Sequence, residues 1–222
     1  MDTVHYALMS MPTTDESEAS DPTGRRRGPR PRGAVRSALV AAGLERARAG
    51  GPDAVVLREV TRMVGVVPNA AYRHFADRDS LLAAVRGEAV EQLARRMAER
   101  VDQVRAGPHT PTGARLRLRA VGQAYLEFAR TEPGLFDTAF AATDHHPTGP
   151  AGPFEQLQTA LDDLVEAGIL PAARRPSLEY PTWASVHGLA VLLRGPLRSL
   201  PEREKTRLEA ELLAFIGTAV RG

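Results

Sequence analysis

Residues 57–85 read LREVTRMVGVVPNAAYRHFADRDSLLAAV, and this stretch decides the fold of the N-terminal part of the chain. The spacing of its apolar residues predicts a short helix over residues 57–64. Gly65 then supplies a turn residue that tolerates positive φ. Pro68 suits the first position of a second helix, because the N–H that it lacks would be unpaired there. Two helices joined by a short turn that contains glycine are the helix-turn-helix pattern.

The apolar residues of this stretch predict how the two helices pack. Four small residues are expected to form the seam between them: Val60, Val64, Val66 and Ala71. The second helix is expected to run from Asn69 to Phe75, with Phe75 in the core. The turn that follows, ADRD, predicts a further long helix over about residues 78–105, with Asp77 as its N-cap and Ser80 at its third position.

The outer side of the second helix has the composition of a surface that reads DNA. Asn69 can pair with adenine, and Arg73 can contact guanine through two hydrogen bonds. The small side chain of Ala70 would let the helix approach the base edges, and Tyr72 and His74 suit phosphate oxygens beside the groove. The predicted DNA-binding residues are Arg58, Asn69, Ala70, Tyr72, Arg73, His74 and Arg78.

The charge is unevenly distributed along the chain. Residues 1–24 hold five acidic residues and no Lys or Arg, residues 25–90 hold thirteen arginines against six acidic residues, and residues 91–222 are balanced. A basic module with an excess of seven positive charges suggests a polyanionic partner. Within it, Arg78 is expected to anchor a phosphate. The basic stretch GRRRGPRPRG, residues 24–33, is either a solvated tail or an arm that adds phosphate or minor-groove contacts.

The composition also narrows the class of protein. The 222 residues include no cysteine, which excludes disulfides, thiolate nucleophiles and zinc sites built from cysteine. None of the six histidines has a metal-binding spacing, and no nucleophile, base or carboxylate pair converges in the sequence. We therefore expect no catalytic residue, no metal and no cofactor. No apolar run reaches the ~18 residues of a membrane span, and the N-terminus carries no secretory signal, so we expect a cytoplasmic protein with no membrane partner.

Residues 34–86 resemble the N-terminal DNA-binding domain of the TetR family of transcriptional regulators. The stretch quoted above is close to that family's Gly-Val-x-x-x-x-x-Tyr-x-His-Phe signature and to its charged turn before the fourth helix. Two positions depart from the pattern. Val67 stands where Ser or Thr usually caps the recognition helix, and Ala70 stands where a hydroxyl often contacts DNA.

The remainder of the chain predicts an all-α body. After a Gly/Pro/Thr linker over residues 106–113, five helices are expected at about residues 113–131, 133–143, 152–168, 175–195 and 201–221. Pro181 lies within the fourth of these, so that helix is expected to kink or to begin late. The predicted domains are a disordered tail with a basic arm (1–32), a helix-turn-helix domain (33–86), and a C-terminal domain for effector binding and dimerisation (87–222).

YLEFARTEPGLFDTAF (125–140) and WASVHGLA (183–190) resemble a TetR subgroup whose C-terminal domain is named for a Trp-His-Gly motif, here Trp183, His187 and Gly188. Trp183 and His187 share a helix face, and they either pack as core residues or line an effector cavity. The resemblance implies such a cavity, with the predicted effector-binding residues Tyr125, Phe128, Phe136, Phe140, Trp183 and His187. It also implies that the last two helices form a dimer interface, with which the apolar stripe of LEAELLAFIGTAV (208–220) agrees.

Together these features predict a transcriptional regulator, a repressor that binds double-stranded DNA at a palindromic operator as a homodimer and is released by a small-molecule effector. One alternative is a dimeric DNA-binding regulator that takes no ligand, which a filled core without a pocket would favour. An enzyme is the rival from another class, and it would need a convergent catalytic constellation that the sequence does not offer.

Overall fold

The computed structural model describes residues 32–107, 109–141 and 152–221, and every regular element in these ranges is helical. The prediction of an all-α fold is confirmed. The tail before residue 32 and the histidine pair at 145–146 lie outside the described residues. The helices are α1 (Arg32–Gly50), α2 (Leu57–Val64), α3 (Pro68–Tyr72), α4 (Arg78–Asp102), α5 (Pro111–Thr131), α6 (Pro133–Ala139), α7 (Pro153–Glu166), α8 (Glu179–Arg194) and α9 (Glu202–Ala219).

Helices α2, α3 and α4 pack against α1, and residues of these helices enclose a small apolar core. The predicted seam is present, since Val60 and Ala71 are fully buried and Val64 and Val66 pack against the core from its edge. Phe75 is also buried, as predicted. The Arg36 guanidinium lies 5.2 Å from the centre of its ring, a distance at which a cation is attracted to an aromatic face.

The turn between α2 and α3 has the predicted geometry. Gly65 adopts φ 71° and ψ 36°, a left-handed conformation that glycine holds without the steric cost that a Cβ atom would bring. Val67 precedes α3 and provides no side-chain cap. Helix α3 ends at Tyr72 rather than at Phe75, because the backbone N–H groups of both His74 and Phe75 donate to the carbonyl of Ala71. This tightened last turn directs Phe75 into the core.

Helix α4 begins with the predicted cap. The backbone N–H of Ser80 donates to Asp77 Oδ1 at 2.7 Å, and the backbone N–H of Asp77 donates to Ser80 Oγ at 3.2 Å. These hydrogen bonds with Ser80 hold the pKa of the Asp77 carboxyl below its usual range. Helix α4 then runs without a break past residue 86 and packs against α1, α5, α6 and α7. The proposed domain boundary at residue 86 therefore lies within a continuous helix.

Helix α5 forms the centre of the C-terminal body, where α4, α6, α7, α8 and α9 all pack against it. Gly122 of α5 permits a close contact with α9, because an added Cβ atom would lie 2.4 Å from Leu213 Cδ2. Helix α8 begins at Glu179, so Pro181 occupies its first turn, where no intrahelical N–H bond is lost. The late start expected from Pro181 is confirmed. Among the described helices, none is both long and apolar enough to cross a membrane.

Helix α6 approaches α1 closely at Gly134. A Cβ atom at this position would lie 2.1 Å from the Ala47 carbonyl oxygen and 2.7 Å from that of Arg48. Both of these atoms belong to the backbone of α1 and cannot move aside as a flexible side chain would. Only glycine therefore permits this approach between α1 and α6.

We predict that Gly134→Ala lowers the free energy of unfolding by about 1–3 kcal/mol, because the added methyl group forces α6 away from α1. Gly87→Ala is the matched control, since Gly87 lies in the middle of α4 and a Cβ atom there meets no atom within 4 Å. This control is expected to stabilise the protein by about 0.5–1 kcal/mol through helix propensity. Chemical denaturation measures both changes, and equal effects at the two positions would contradict the close packing at Gly134.

Candidate DNA-binding surface and ligand cavity

Helix α3 presents several of the predicted DNA-binding residues to solvent. Tyr72 is 57% exposed, Asn69 and Arg73 are exposed, and Ala70 and His74 are partly buried. Within the described part of the chain, the side chains of Asn69, Tyr72 and Arg73 make no hydrogen bond or ion pair. Their polar groups are therefore available to an external partner.

Arg58 lies on α2 and is also exposed. Four of the seven predicted DNA-binding residues thus lie on the two helices of the helix-turn-helix, at positions 58, 69, 70 and 72. Arg73 and His74 follow directly after the last residue of α3.

Arg78, the seventh, has a role that the sequence did not indicate. Its Nε donates to the Val55 carbonyl at 3.0 Å, and its Nη2 donates to the Pro52 carbonyl at 2.7 Å. Asp53 and Asp79 lie 3.8 and 3.6 Å from the guanidinium. Arg78 therefore holds the turn that precedes α2 against the start of α4, and its contact with a phosphate stays a prediction. The sequence did not reveal the hydrogen bonds of Arg78 to these two carbonyls, because the bonded residues lie 23 and 26 positions apart.

A second arginine network joins the N-terminal helices to the body. Glu132, between α5 and α6, accepts a hydrogen bond from Arg48 Nε at 3.3 Å and one from Arg96 Nη2 at 2.8 Å. Arg48 Nη2 also donates to Gln92 Oε1 at 3.0 Å. Since Arg48 belongs to α1 and Arg96 to α4, one carboxylate connects α1, α4 and the α5–α6 junction.

Five of the six predicted effector-binding residues form one aromatic cluster. Trp183 Nε1 donates to the Tyr125 hydroxyl at 3.1 Å, and that hydroxyl lies 2.8 Å from His187 Nδ1. Phe136 stacks on the His187 ring with centroids 5.6 Å apart, and Phe140 lies 5.0 Å from the same ring. The sixth residue, Phe128, is fully buried elsewhere, with the Arg96 guanidinium 5.2 Å from its ring centre.

Burial fixes the proton positions within this cluster. It raises the pKa of the Tyr125 phenol and lowers the pKa of the His187 imidazole, so both groups are neutral near pH 7. The Tyr125 oxygen already accepts the proton of Trp183 Nε1. The hydroxyl proton of Tyr125 has His187 Nδ1 as its acceptor when the neutral His187 ring carries its own proton on Nε2. The three side chains then form a directed chain of hydrogen bonds from Trp183 to His187.

A cavity of about 350 Å³ lies between α5, α7, α8 and α9. This volume is within the usual range for small-molecule sites. Of the predicted effector-binding residues, Tyr125 and Trp183 line its wall, whereas Phe128, Phe136, Phe140 and His187 do not. Much of the wall is formed by apolar side chains that were not among the predicted effector-binding residues: Met97, Leu118, Val121, Leu157, Leu164, Val186, Leu213, Ile216 and Val220.

One group of possible metal ligands occurs within the described ranges. His109 Nδ1 lies 3.0 Å from Asp163 Oδ1 and 2.5 Å from Glu166 Oε2, and Arg117 Nε donates to Asp163 Oδ2 at 2.5 Å. Burial acts to raise the pKa of Asp163, but the hydrogen bond and charge of Arg117 outweigh it and lower that pKa. The positive charge of Arg117 opposes a cation at this position. We therefore assign the cluster to fastening the α4–α5 loop to α7.

Known proteins resemble this chain in its C-terminal sequence and in its fold. Residues 118–215 match the family described as tetracyclin repressor-like, C-terminal domain. A protein of unknown function from Rhodococcus sp. RHA1 has a TM-score of 0.66 at 20% identity, and the alignment covers 90% of this chain and 100% of that one. A TetR-family transcriptional regulator from Pectobacterium atrosepticum has a TM-score of 0.56 at 20% identity, covering 86% of this chain and 94% of that one.

A TetR-family transcriptional regulator from Streptomyces coelicolor also has a TM-score of 0.56, at 19% identity, covering 83% of this chain and 79% of that one. No curated protein matches the sequence. The chain therefore has the helical fold of TetR-type regulators, with a helix-turn-helix before the body. Its residues 118–215 are similar in sequence to the tetracyclin repressor-like C-terminal domain.

We predict that Arg78→Ala and Arg73→Ala have different effects on stability. Arg78→Ala removes charge-assisted hydrogen bonds to two carbonyls and should lower the free energy of unfolding by about 1.5–3 kcal/mol. Arg73→Ala, which removes no contact, should change it by less than about 0.5 kcal/mol. Urea denaturation distinguishes the two variants. An Arg78 variant as stable as the unchanged protein would mean that these carbonyl contacts contribute nothing.

We predict that His187 makes stability depend on pH. Its folded-state pKa is lowered, so this contribution is fully present above the ordinary histidine pKa of about 6.5 and is lost as the pH falls through the lowered value. His187→Gln keeps a hydrogen-bond acceptor but does not titrate. Melting temperatures measured from pH about 7.5 to about 5 should therefore decline less in this variant. An unchanged decline would contradict the assignment of a neutral, buried His187, and His74→Gln controls for loss of an imidazole elsewhere.

Proposed function

We propose that the protein is a transcriptional regulator of the cytoplasm, a repressor that binds a palindromic operator as a homodimer and is released when a small molecule enters its body. The observation that carries this proposal is the combination of two features in one chain. Asn69 and Tyr72 of α3 and the following Arg73 are exposed, and their side chains lack hydrogen-bond and ion-pair partners in the described part of the chain. The C-terminal body contains a cavity of about 350 Å³ with a largely apolar wall.

In this proposal α3 enters the major groove. Asn69 and Arg73 contact base edges, Ala70 permits a close approach, and Tyr72 and His74 bind phosphate oxygens. Arg58 on α2 and Arg78 at the start of α4 add contacts to the DNA backbone. Helix α3 has only five residues, roughly 7.5 Å of helix. One copy therefore reads few base pairs, and a specific operator needs two copies related by two-fold symmetry.

The outer face of α8 and α9 supports a dimer. Val191 and Leu192 on α8 are 48% and 45% exposed, and Phe215 on α9 is 65% exposed. The apolar stripe of residues 208–220 divides into two faces, because Leu213, Ile216 and Val220 are buried within the protomer whereas Phe215 is not. We propose that the exposed face packs against the same face of a second copy. Gly188 fits this proposal, because no atom of the described chain lies within 4 Å of a Cβ atom placed there.

Contacts within the chain connect the cavity to the recognition helix. Helices α5 and α7 form part of the cavity wall, and both pack against α4. Phe136 of α6 and Phe140, directly after it, pack against the aromatic residues of the wall. The last residue of α6, Ala139, accepts a hydrogen bond from Arg86 Nε of α4 at 3.0 Å. A ligand that displaces the wall would thereby move α4 and α6 against α1. If ligand weakens DNA binding, DNA must weaken ligand binding by the same factor.

The alternative of a regulator without a ligand is less well supported. It would be favoured by a body whose interior is filled, and the cavity between α5, α7, α8 and α9 is instead large enough for a small molecule. Trp183, the first residue of the Trp-His-Gly motif, lines that cavity. This position supports a ligand-responsive function for the motif.

We predict that the residues of α3 divide into those that read bases and those that anchor the backbone. Arg73→Ala and Asn69→Ala should relax the base preference of the operator by about 1–3 kcal/mol each. Tyr72→Phe should weaken binding to all sequences alike, because a phosphate contact carries no sequence information. Selection from random DNA followed by quantitative gel retardation measures both effects. Arg198→Ala removes an exposed arginine of the body as a control, and an unaltered operator in every α3 variant would contradict the reading surface.

We predict that Phe215→Asp converts the protein to a monomer at concentrations where the unchanged protein is a dimer, because a charge would be buried in the interface without a partner. Thr206→Asp is the control, since Thr206 is also exposed but lies on the opposite side of α9. Size-exclusion chromatography with light scattering gives the mass of each. Ile216 is unsuitable for this test, because it is buried within the protomer and its replacement would disturb folding.

A further inference from the structure

We propose that the effector is an amphipathic carboxylic acid, with its carboxylate bound by arginines at the cavity mouth and its apolar chain within the cavity. This inference rests on the proposed ligand-responsive function and specifies the chemistry of the same cavity. Three arginines contribute to the wall, namely Arg115 and Arg119 of α5 and Arg221 after α9. All three are exposed, which places their charged groups toward solvent at the opening.

The described residues do not neutralise the charge of the three arginines at this mouth. Within the described part of the chain, Arg115 and Arg119 have no hydrogen bond or ion pair, and Arg221 donates only to the Thr218 hydroxyl at 3.2 Å. The neighbouring Arg117 is different, since it is ion-paired with Asp163. Arg115 and Arg119 are four residues apart on one helix face, where like charges repel. An anionic ligand would relieve that repulsion.

Among the described residues, the wall offers a cation no partner for an ion pair. No aspartate or glutamate of the described residues lines the cavity. A positively charged ligand would therefore meet three arginines and no counter-charge. The mouth selects a negative group, and guanidinium groups bind a planar carboxylate through paired hydrogen bonds.

The polar groups deeper in the wall are already satisfied within the protein. Trp183 and Tyr125 belong to the hydrogen-bonded chain that ends at His187. The hydroxyl of Thr182 donates to the Leu178 carbonyl at 2.8 Å, and no buried side-chain nitrogen or oxygen of the described residues lacks a partner. The interior thus offers mainly apolar surface, and the Trp183 and Thr182 donors in its wall are already used within the protein. An uncharged polar ligand such as a sugar would lose its hydration there without compensation.

Trp183 provides the measurement, because it is the one tryptophan of the chain and lies in the cavity wall. Decanoate, 1-decanol and decylamine share one apolar chain and differ in head group. Titrated into the full-length protein, decanoate is expected to change the Trp183 emission to saturation. We expect 1-decanol to bind at least about tenfold more weakly, and decylamine to bind more weakly still, because they lack the charge-assisted contacts.

Substitutions can distinguish the contribution of the cavity mouth to ligand binding from that of the cavity interior. R115Q/R119Q is expected to lower the affinity for decanoate about tenfold and to leave the affinity for 1-decanol unchanged. R198Q/R203Q removes two exposed arginines that have no side-chain partner and do not line the cavity, and it should affect neither ligand. Gly217→Leu adds a side chain to the cavity wall where a Cβ atom meets nothing within 4 Å. It should weaken both ligands.

The proposal is overturned if 1-decanol or decylamine binds as tightly as decanoate, or if R115Q/R119Q binds decanoate as the unchanged protein does. The same ligands added to the protein–operator complex distinguish this failure from failure of the regulatory function. If 1-decanol releases the DNA and decanoate does not, the proposed ligand class is wrong, whereas the proposed regulatory function is supported. If the protein binds decanoate through these arginines but binds no DNA sequence specifically, the result would support the proposed ligand class and contradict the proposed regulatory function.

Discussion

The close approach of α6 to α1 at Gly134 is the constraint on which the proposed coupling depends. A single methyl group at this position would overlap the backbone of Ala47, so the two helices cannot separate or slide without losing the contact. Glu132, two residues earlier, binds arginines of both α1 and α4. The close contact at Gly134 and the carboxylate of Glu132 therefore connect α1 of the helix-turn-helix domain with α4 and α6.

The cavity lies between α5, α7, α8 and α9, and two layers of side chains surround it. The inner layer is the chain of hydrogen bonds from Trp183 through Tyr125 to His187. The outer layer is the mouth, where arginines without carboxylate partners provide the charge. Aromatic rings of α6 pack directly behind the inner layer. A ligand in the cavity would thus be separated from α6 by one layer of side chains.

The sequence predicted the features that depend on local chemistry. The positive φ of Gly65, the capping box of Asp77 and the late start of α8 at Pro181 follow from residue type and spacing, and the structure contains all three. The sequence did not reveal the features that depend on contacts between residues far apart in the chain. Arg78 reads as a surface charge until its carbonyl partners, more than twenty positions earlier, are known. The cavity wall reads as ordinary helix packing, because a space between helices leaves no mark on the periodicity of any one helix.

Reciprocal linkage between the cavity and α3 tests the central claim most directly. The affinity of the dimer for its selected operator is measured with and without saturating decanoate, and the affinity for decanoate, followed by Trp183 emission, is measured with and without saturating operator. The account predicts that both affinities fall by the same factor, about 5- to 150-fold. Decanoate that binds at the cavity while the operator affinity stays unchanged would contradict it.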